Sequence, residues 1–454
     1  MGFDRTLVLI AALAIAATTL AARGADDPAK SGACPAAAAG AASTPDVELD
    51  TTPNPDRLRC EADEQLRQGD EQLRQYLEMD EENQRLIDAQ TAYGKARDLY
   101  QQAGDRSGQA KALLGLARTQ DYLDQDQEAL DQLAAARALY RQPPAGGTDA
   151  AIFLAVGEMA QTLDHGGDAR ADYRRAIDLY HRSGDRAGEA AAWAGLGIVD
   201  QREGDAPAAR DDFAAARALL KQVRGQAASR PFAQFRDPSN RGYGLLGVAD
   251  LAQQEGATAE AKVAYAKART FFQQVTDRRG EGYALFGLAE LAAGQGDVEH
   301  AHAYYEEARG WFQRVGEQDG EARLLVSRAA LARRLGDTEQ ARADYQEAQH
   351  LFGRMEGDEA DRAKVLLELG AIDRDSDEQE FAAQSYDLAR HLFRRLGDSL
   401  GEAQALSGLA EVERAGGDRD LARRDFETAA QLYEAAGQAD RAARAKAQAD
   451  GLAE

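Results

Sequence analysis

Residues 283–312 read YALFGLAELAAGQGDVEHAHAYYEEARGWF. The second half of this stretch places apolar residues at intervals of 4, 3 and 4: Ala301, Tyr305, Ala308 and Phe312. These intervals put all four side chains on one face of an α-helix. Gly296 and Asp297 separate that helix from the apolar run before it, where a glycine ends one helix and an aspartate caps the next. The stretch therefore predicts a hairpin of two helices.

The same pattern recurs along the chain with a period of 40 residues. Its clearest marker is the aromatic residue or leucine that closes each pattern: Tyr100, Tyr140, Tyr180, Leu220, Phe272, Phe312, Phe352, Phe393 and Tyr433. The period is broken by more than one residue only at an insertion, residues 224–237. Alanines let neighbouring helices approach closely, and the bulky residue between them fills the space between turns. The sequence thus predicts about nine stacked hairpins, each buried against the next.

This signature resembles the tetratricopeptide repeat. In the stretch quoted above, the resemblance rests on Leu288-Ala289, Gly296-Asp297, Ala301, Tyr305 and Ala308. It covers about residues 64–437, and the 40-residue period is similar to the elongated variant found in Leu-Gly-Asn-repeat regulators and in bacterial arrays rather than to the usual 34 residues. The resemblance implies an all-α fold, a right-handed superhelical solenoid whose first helices line a concave groove.

Two segments of different composition precede the array. Arg5 followed by an apolar run at residues 7–20 and by small residues is typical of a signal peptide, and it predicts a periplasmic or secreted protein of the bacterial cell envelope. The run is short of the ~20 residues that a membrane span needs, so we expect no stable span after cleavage; an uncleaved anchor is the alternative. The expected order is a signal peptide at 1–24, a Pro- and Ala-rich flexible tether at 25–57, the solenoid at 58–437 with its insertion at 224–237, and a C-terminal capping helix at 438–454.

The charge balance restricts the class of partner. The 454 residues include 54 Lys and Arg against 78 Asp and Glu, a formal net charge of −24. This excess argues against nucleic-acid binding, which needs Lys and Arg to neutralise phosphates, and it favours protein partners of basic or mixed charge. Only two cysteines occur, Cys34 and Cys60, and they form a candidate disulfide between the tether and the first helix.

Three motifs resemble catalytic or ligand-binding signatures, but each lacks the surrounding residues or secondary structure that its chemistry needs. Residues 242–247 match the dinucleotide fingerprint but lie within a predicted first helix instead of a strand-to-helix turn. Residues 397–401 match the nucleophile elbow, but they occupy a Gly-Asp junction and no histidine follows His391. The acidic run at 373–377 lacks the glycine and glutamate of a calcium loop. We therefore expect no enzyme, no cofactor and no metal site.

The resemblance implies that inward positions of the first helices bind partner segments. On this chain those candidates are Tyr243, Leu246, Asp250, Tyr283, Phe286, Glu290, Arg323, Lys364 and Arg374. Rings beside carboxylates suit an apolar anchor next to a basic group, and the later Arg and Lys suit carboxylates. The alternative interpretation is that the rings pack between repeats. The asparagine that precedes the leucine in peptide-gripping members is most often a glycine here, so a chaperone-type carboxylate clamp is not expected.

These observations predict a non-catalytic scaffold that binds protein or peptide segments in its groove. The alternative is a protein that senses or carries a small ligand in a cavity near the insertion. Self-association through the terminal repeats stays open.

Overall fold

The computed structural model describes residues 54–79, 83–140, 147–223, 238–355 and 357–452. The predicted signal peptide, most of the predicted tether and the insertion at 224–237 lie outside the described residues. The described part of the chain contains nineteen α-helices and no strand. They are α1 (Pro55–Met79), α2 (Gln84–Gln102), α3 (Arg106–Tyr122), α4 (Asp126–Ala138), α5 (Gly147–Thr162), α6 (Gly166–Ser183), α7 (Arg186–Arg202), α8 (Ala206–Leu220), α9 (Pro238–Gln254), α10 (Thr258–Gln274), α11 (Arg278–Gln295), α12 (Val298–Val315), α13 (Gln318–Leu335), α14 (Thr338–Phe352), α15 (Glu359–Asp375), α16 (Gln379–Leu396), α17 (Ser399–Gly416), α18 (Arg419–Ala435) and α19 (Ala439–Asp450).

Consecutive helices pack in pairs. For instance, α1 packs on α2 and α17 on α18, and the second helix of a pair also packs on the first helix of the next, as α2 does on α3. This confirms the all-α repeat fold. The chain forms two compact units, one ending at Gly287 and one starting at Leu288, so the boundary falls inside α11. Unit 1 contains α1 to α10 and the start of α11, and unit 2 contains the rest of α11 and α12 to α19.

Gly-Asp pairs end and begin the helices as predicted. The glycines with left-handed φ, between 68° and 92°, include Gly104, Gly184, Gly204, Gly296, Gly336, Gly397 and Gly417. The following aspartates accept a hydrogen bond from the backbone N–H three residues on, at 2.9–3.3 Å, in Asp105, Asp185, Asp205, Asp297, Asp337 and Asp398. Asp418 differs, because its side chain makes no such bond. Each capped junction satisfies one of the N–H groups that a helix start leaves without a partner.

The alternation of small and large residues on the second helices forms the core. The alanines of the pattern are fully buried, as in Ala301 and Ala308, and the rings between them are almost as buried, as in Tyr305 and Phe312. Burying each such ring contributes roughly 1.5–3 kcal/mol, so the repeated face is the main source of stability within each unit.

Rings of the second helices lie directly on glycines of the first helices. A Cβ added at Gly408 of α17 would lie 2.4 Å from the ring of Tyr386 on α16, and one added at Gly370 of α15 would lie 2.9 Å from the same ring. The same close approach pairs Tyr93 with Gly115, Tyr173 with Gly195, Phe213 with Gly247 and Tyr265 with Gly287. Except for Gly370, which packs on the ring of its own hairpin, these glycines occupy the position that is asparagine in peptide-gripping tetratricopeptide repeats, and here that position packs the ring of the preceding repeat.

The first and last described helices lie close to the predicted bounds of the array. Helix α1 begins at Pro55, within the predicted tether, and α19 lies within the predicted capping segment. Ala442, Ala445 and Ala449 of α19 pack against the core next to α18, which covers the last hairpin. None of the described helices is both long and apolar enough to cross a membrane.

Candidate functional site

The predicted binding residues lie on first helices in both units. We call these positions, with their immediate ion-pair partners, the first-helix face, and each unit is considered by itself. Unit 1 contributes Tyr243, Leu246 and Asp250 from α9 and Tyr283 and Phe286 from α11. Unit 2 contributes Glu290 from α11, Arg323 from α13, and Lys364 and Arg374 from α15.

Tyr243 is held inside unit 1 by its neighbours. Its ring meets the ring of Phe272 edge-on, with centroids 4.9 Å apart and planes at 67°, and it packs beside Phe213. Burial, followed by the charge of the Asp277 carboxylate, raises the pKa of Tyr243 well above its usual value. This half-buried ring therefore packs between helices through part of its surface.

Asp250 also has a structural partner. The hydroxyl of the buried Tyr265 donates to Asp250 Oδ1 at 2.6 Å and lies 3.0 Å from Gln253 Oε1. Leu246 beside it is buried. An unpaired tyrosine hydroxyl inside a repeat would cost about 1–3 kcal/mol, so Asp250 stabilises the ring of its own hairpin.

Tyr283 and Phe286 are the remaining predicted rings of unit 1. Both are half-buried, and they lie three residues apart on α11, close to one helical turn. Part of their apolar surface, like that of the half-buried Tyr243, therefore remains for a partner to cover.

Exposed ion pairs cover the first-helix face of unit 2 between α13 and α15. Arg323 Nε lies 2.8 Å from Asp319, and its Nη2 lies 3.8 Å from Asp361 of the next first helix. Lys364 Nζ contacts the same Asp361 at 2.8 Å. Arg323 is 54% and Lys364 66% exposed, so water competes for both cations.

Similar contacts join the other first helices of unit 2. Ser327 Oγ donates to Glu290 at 3.1 Å, which links α13 to α11. Arg333 pairs with Glu368 between α13 and α15, and Arg374 pairs with Glu411 between α15 and α17. Arg323 and Arg374 thus each meet a carboxylate of an adjacent first helix, whereas Lys364 pairs with Asp361 of its own helix.

Sequence reasoning did not identify Asp361 and Glu368 as part of this face. The sequence feature that could have indicated them is a carboxylate that follows a cation at an interval slightly shorter than one repeat. This interval is 38 residues from Arg323 to Asp361 and 35 residues from Arg333 to Glu368. Exposed ion pairs contribute only about 0–1 kcal/mol each, so they break at little cost when another charge approaches. The face can therefore exchange these internal pairs for contacts with charges on another molecule.

The structure shows where the motifs that resemble catalytic sites and the candidate disulfide lie. Residues 242–247 lie inside α9, and residues 397–401 form the capped turn between α16 and α17. Cys60 lies on α1, whereas Cys34 is outside the described residues, so their pairing stays a prediction. Among the residues that the structure describes, no group of three or more His, Cys, Asp or Glu side chains could hold a metal ion.

No protein-family model matches the chain, and no curated protein matches it. Solved structures similar to it include BtubC from P. vanneervenii, with 19% identity, a TM-score of 0.37, and coverage of 50% of this chain and 91% of that chain. Yeast Tom70 is similar with 14% identity, a TM-score of 0.36, and coverage of 85% and 95%. The human IFIT1 dimer with PPP-AAAA is similar with 14% identity, a TM-score of 0.41, and coverage of 86% and 94%.

The class of protein follows from the helices themselves. Paired helices with capped Gly-Asp turns and rings packed on neighbouring glycines define an all-α protein of repeated helical hairpins.

Proposed function

We propose that this protein is a non-catalytic scaffold of the bacterial cell envelope that binds partner protein segments along its first-helix face. The observation that carries the proposal is the set of exposed and half-buried ion pairs that join successive first helices of unit 2. Arg323–Asp361 and Arg333–Glu368 present cations and carboxylates together between α13 and α15, and Arg374–Glu411 does so between α15 and α17.

The repeat spacing describes a matching partner. Packed helices lie ~8–10 Å apart, and an extended chain advances ~3.3 Å per residue. A partner segment that crosses the first helices would therefore meet a new ion pair about every third residue. A segment with charges of both signs at that spacing can replace several internal pairs without leaving a charge unpaired.

Unit 1 offers a different contact. The half-buried rings of Tyr283 and Phe286 suit an apolar side chain of a partner, because aromatic surface contributes strongly when it is fully covered.

Charge-reversal variants test the proposal on unit 2. Arg323→Glu/Lys364→Glu changes two exposed side chains, and Arg419→Glu/Lys446→Glu is its charge-matched control on exposed positions of α18 and α19. In affinity capture from a periplasmic extract, we expect the first variant to lose partners that the wild type and the control both retain. Identical partner sets for all three proteins, with unchanged circular dichroism, would refute binding by this face.

Two further measurements complete the proposal. Capture with Tyr283→Ala/Phe286→Ala tests the contribution of unit 1, with thermal unfolding as the check on folding. N-terminal sequencing of the protein recovered from a periplasmic fraction tests export and locates the cleavage site. The alternative, a small-ligand sensor, predicts a rise in melting temperature with a metabolite, which a scaffold does not.

A further inference from the structure

A groove lies on the side of unit 2 opposite to the first-helix face. It runs between the second helices α14 and α16, with α15 as its floor, and its volume is about 450 Å³. Leu366 and Leu369 of α15 point into it, whereas Lys364 and Arg374 belong to the other side of the same helix. We call this cavity the α14–α16 groove. Its size is within the range of small binding sites.

One wall of the groove is apolar and exposed. Phe381 and Leu388 of α16 line it, and they are 58% and 38% exposed. They lie seven residues apart, so two helical turns place them on the same side of α16. Together with the buried leucines below them, they form an apolar surface that can bind one large apolar side chain.

The facing wall and the rest of α16 carry neutral polar groups. Gln346 and Gln349 of α14 face Gln384 and Ser385 of α16 across the groove. A carboxamide has both donors and an acceptor, and a hydroxyl can do either, so these side chains match the N–H and C=O of a peptide backbone. Such groups would bind the main chain without selecting a charge.

The end of the groove near the start of α16 is acidic. Arg342 lies between two carboxylates, with Nε 3.0 Å from Asp373 and Nη1 2.9 Å from Glu378. Its Nη2 is buried and has no hydrogen-bond partner among the described residues. Two carboxylates around one guanidinium leave a net negative charge, which favours an additional cation.

We propose that the α14–α16 groove binds a short extended peptide segment that carries one large apolar side chain near a basic one. The lining of α14 extends from Arg342 to Gln349, which is ~10 Å along the helix and matches about three extended residues. The apolar side chain lies against Phe381 and Leu388, and the basic side chain reaches Asp373 and Glu378. This site shares no binding residue with the first-helix face, so either proposal can fail alone.

The test uses labelled peptides and the full chain. The probes are fluorescein-labelled Ala-Phe-Ala-Lys-Ala and its reversed order Ala-Lys-Ala-Phe-Ala, each with a partner in which Ser replaces Phe and one in which Glu replaces Lys. By fluorescence anisotropy we expect saturable binding of at least one parent probe and an affinity at least tenfold lower for both changed forms. Absence of saturable binding of either parent, or equal binding of all forms, would overturn the proposal.

Variants of the protein locate the binding. Phe381→Ser should lower the affinity at least tenfold, whereas Leu421→Ser should leave it unchanged, because Leu421 occupies the same repeat position on α18 and is 46% exposed but lies outside the groove. Equal losses in the two variants would contradict the site. If wild-type protein dimerises in sedimentation velocity, Phe381→Ser is monomeric and no probe binds, the groove is a contact between two copies and the peptide proposal is wrong.

Discussion

The ring of Tyr386 packs directly on the backbone at Gly408. This contact predicts that alanine at position 408 lowers the stability of the protein, whereas helix propensity alone predicts that it raises it. Gly408 lies in the middle of α17, where alanine is ordinarily preferred by ~0.8–1.0 kcal/mol. However, the new methyl group would lie 2.4 Å from two carbons of the Tyr386 ring, instead of the ~3.5–4.0 Å of an ordinary carbon contact. The substitution Gly408→Ala therefore forces either the ring or the helix to move.

The ring has little room to move. Tyr386 is 3% exposed, and Gly370 of the preceding first helix already approaches it closely. Overpacking of this kind costs ~1–3 kcal/mol, and a displacement of more than 1 Å favours the upper part of that range. After the gain in helix propensity, we expect Gly408→Ala to destabilise unit 2 by about 1–2 kcal/mol.

Gly310 is the matched control. It lies inside α12 of the same unit, and a Cβ added there would meet no atom within 4 Å. Gly310→Ala should therefore stabilise the protein by ~0.5–1 kcal/mol. Urea unfolding followed by far-UV circular dichroism compares the two variants, and hydrogen exchange of α15 to α17 measures a loss that remains local to a few repeats.

A double variant isolates the contact itself. In Tyr386→Leu/Gly408→Ala the smaller side chain leaves space for the methyl group, so the cost of Gly408→Ala should fall by 1 kcal/mol or more compared with the wild-type background. The chain already contains this combination, because Leu133 and Ala155 occupy the equivalent positions of an earlier repeat. Stabilisation by Gly408→Ala equal to that by Gly310→Ala, or a cost that persists beside leucine, would refute the proposed contact.

Three further predictions concern ionisable and sulfur groups. Burial, followed by the hydrogen bond and charge of Asp200, raises the pKa of Asp212 from 3.8 to about 7. The folded protein therefore loses stability as the pH rises from about 4 to 7. Asp212→Asn should remove this loss and raise the free energy of unfolding by ~1–2 kcal/mol at pH 8, measured by urea unfolding. An unchanged pH dependence of stability would contradict the prediction. Arg328 is 6% exposed and lies 2.7 Å from Asp344, so we expect Arg328→Ala to lower the free energy of unfolding by ~3–5 kcal/mol. Arg323→Ala, at an exposed position, should lower it by less than ~1 kcal/mol. Equal shifts of the urea midpoint in the two variants would exclude a buried pair. The candidate disulfide predicts that no thiol of the exported, unfolded protein reacts with Ellman's reagent before reduction and that two react after it; thiols detected beforehand would exclude it.

The sequence was sufficient to predict the repeat and its core because both depend on local geometry. The spacing of Ala301, Tyr305 and Ala308 fixes one helix face regardless of the rest of the chain, and that face is buried. The turns were predictable for the same reason, since a left-handed glycine followed by a capping aspartate needs only neighbouring residues. The division at Gly287 was not predictable, because it lies within a helix whose sequence follows the repeat.

The glycines that contact the rings could be recognised in the sequence by a recurring interval, but the reason for that interval could not. Tyr173 and Gly195 are 22 residues apart, and so are Tyr386 and Gly408. Leu133 and Ala155 keep the same interval with both residues changed, whereas Tyr305 and Ser327 keep the ring without the glycine. Only the stacking of one hairpin on the next shows that the interval joins a ring to a facing backbone.

The partners of the exposed charges could not be predicted from spacing. The intervals between paired residues of adjacent first helices differ, at 35, 37 and 38 residues, because long side chains reach different turns of the neighbouring helix. The later cations seemed, in sequence, to form a basic surface for an acidic partner. In unit 2, however, Arg323, Lys364 and Arg374 each meet a carboxylate. An all-acidic partner would have to displace those carboxylates and leave them facing its own charges. A partner of mixed charge replaces both members of a pair at once, so the ion pairs of unit 2 favour it over a purely acidic one.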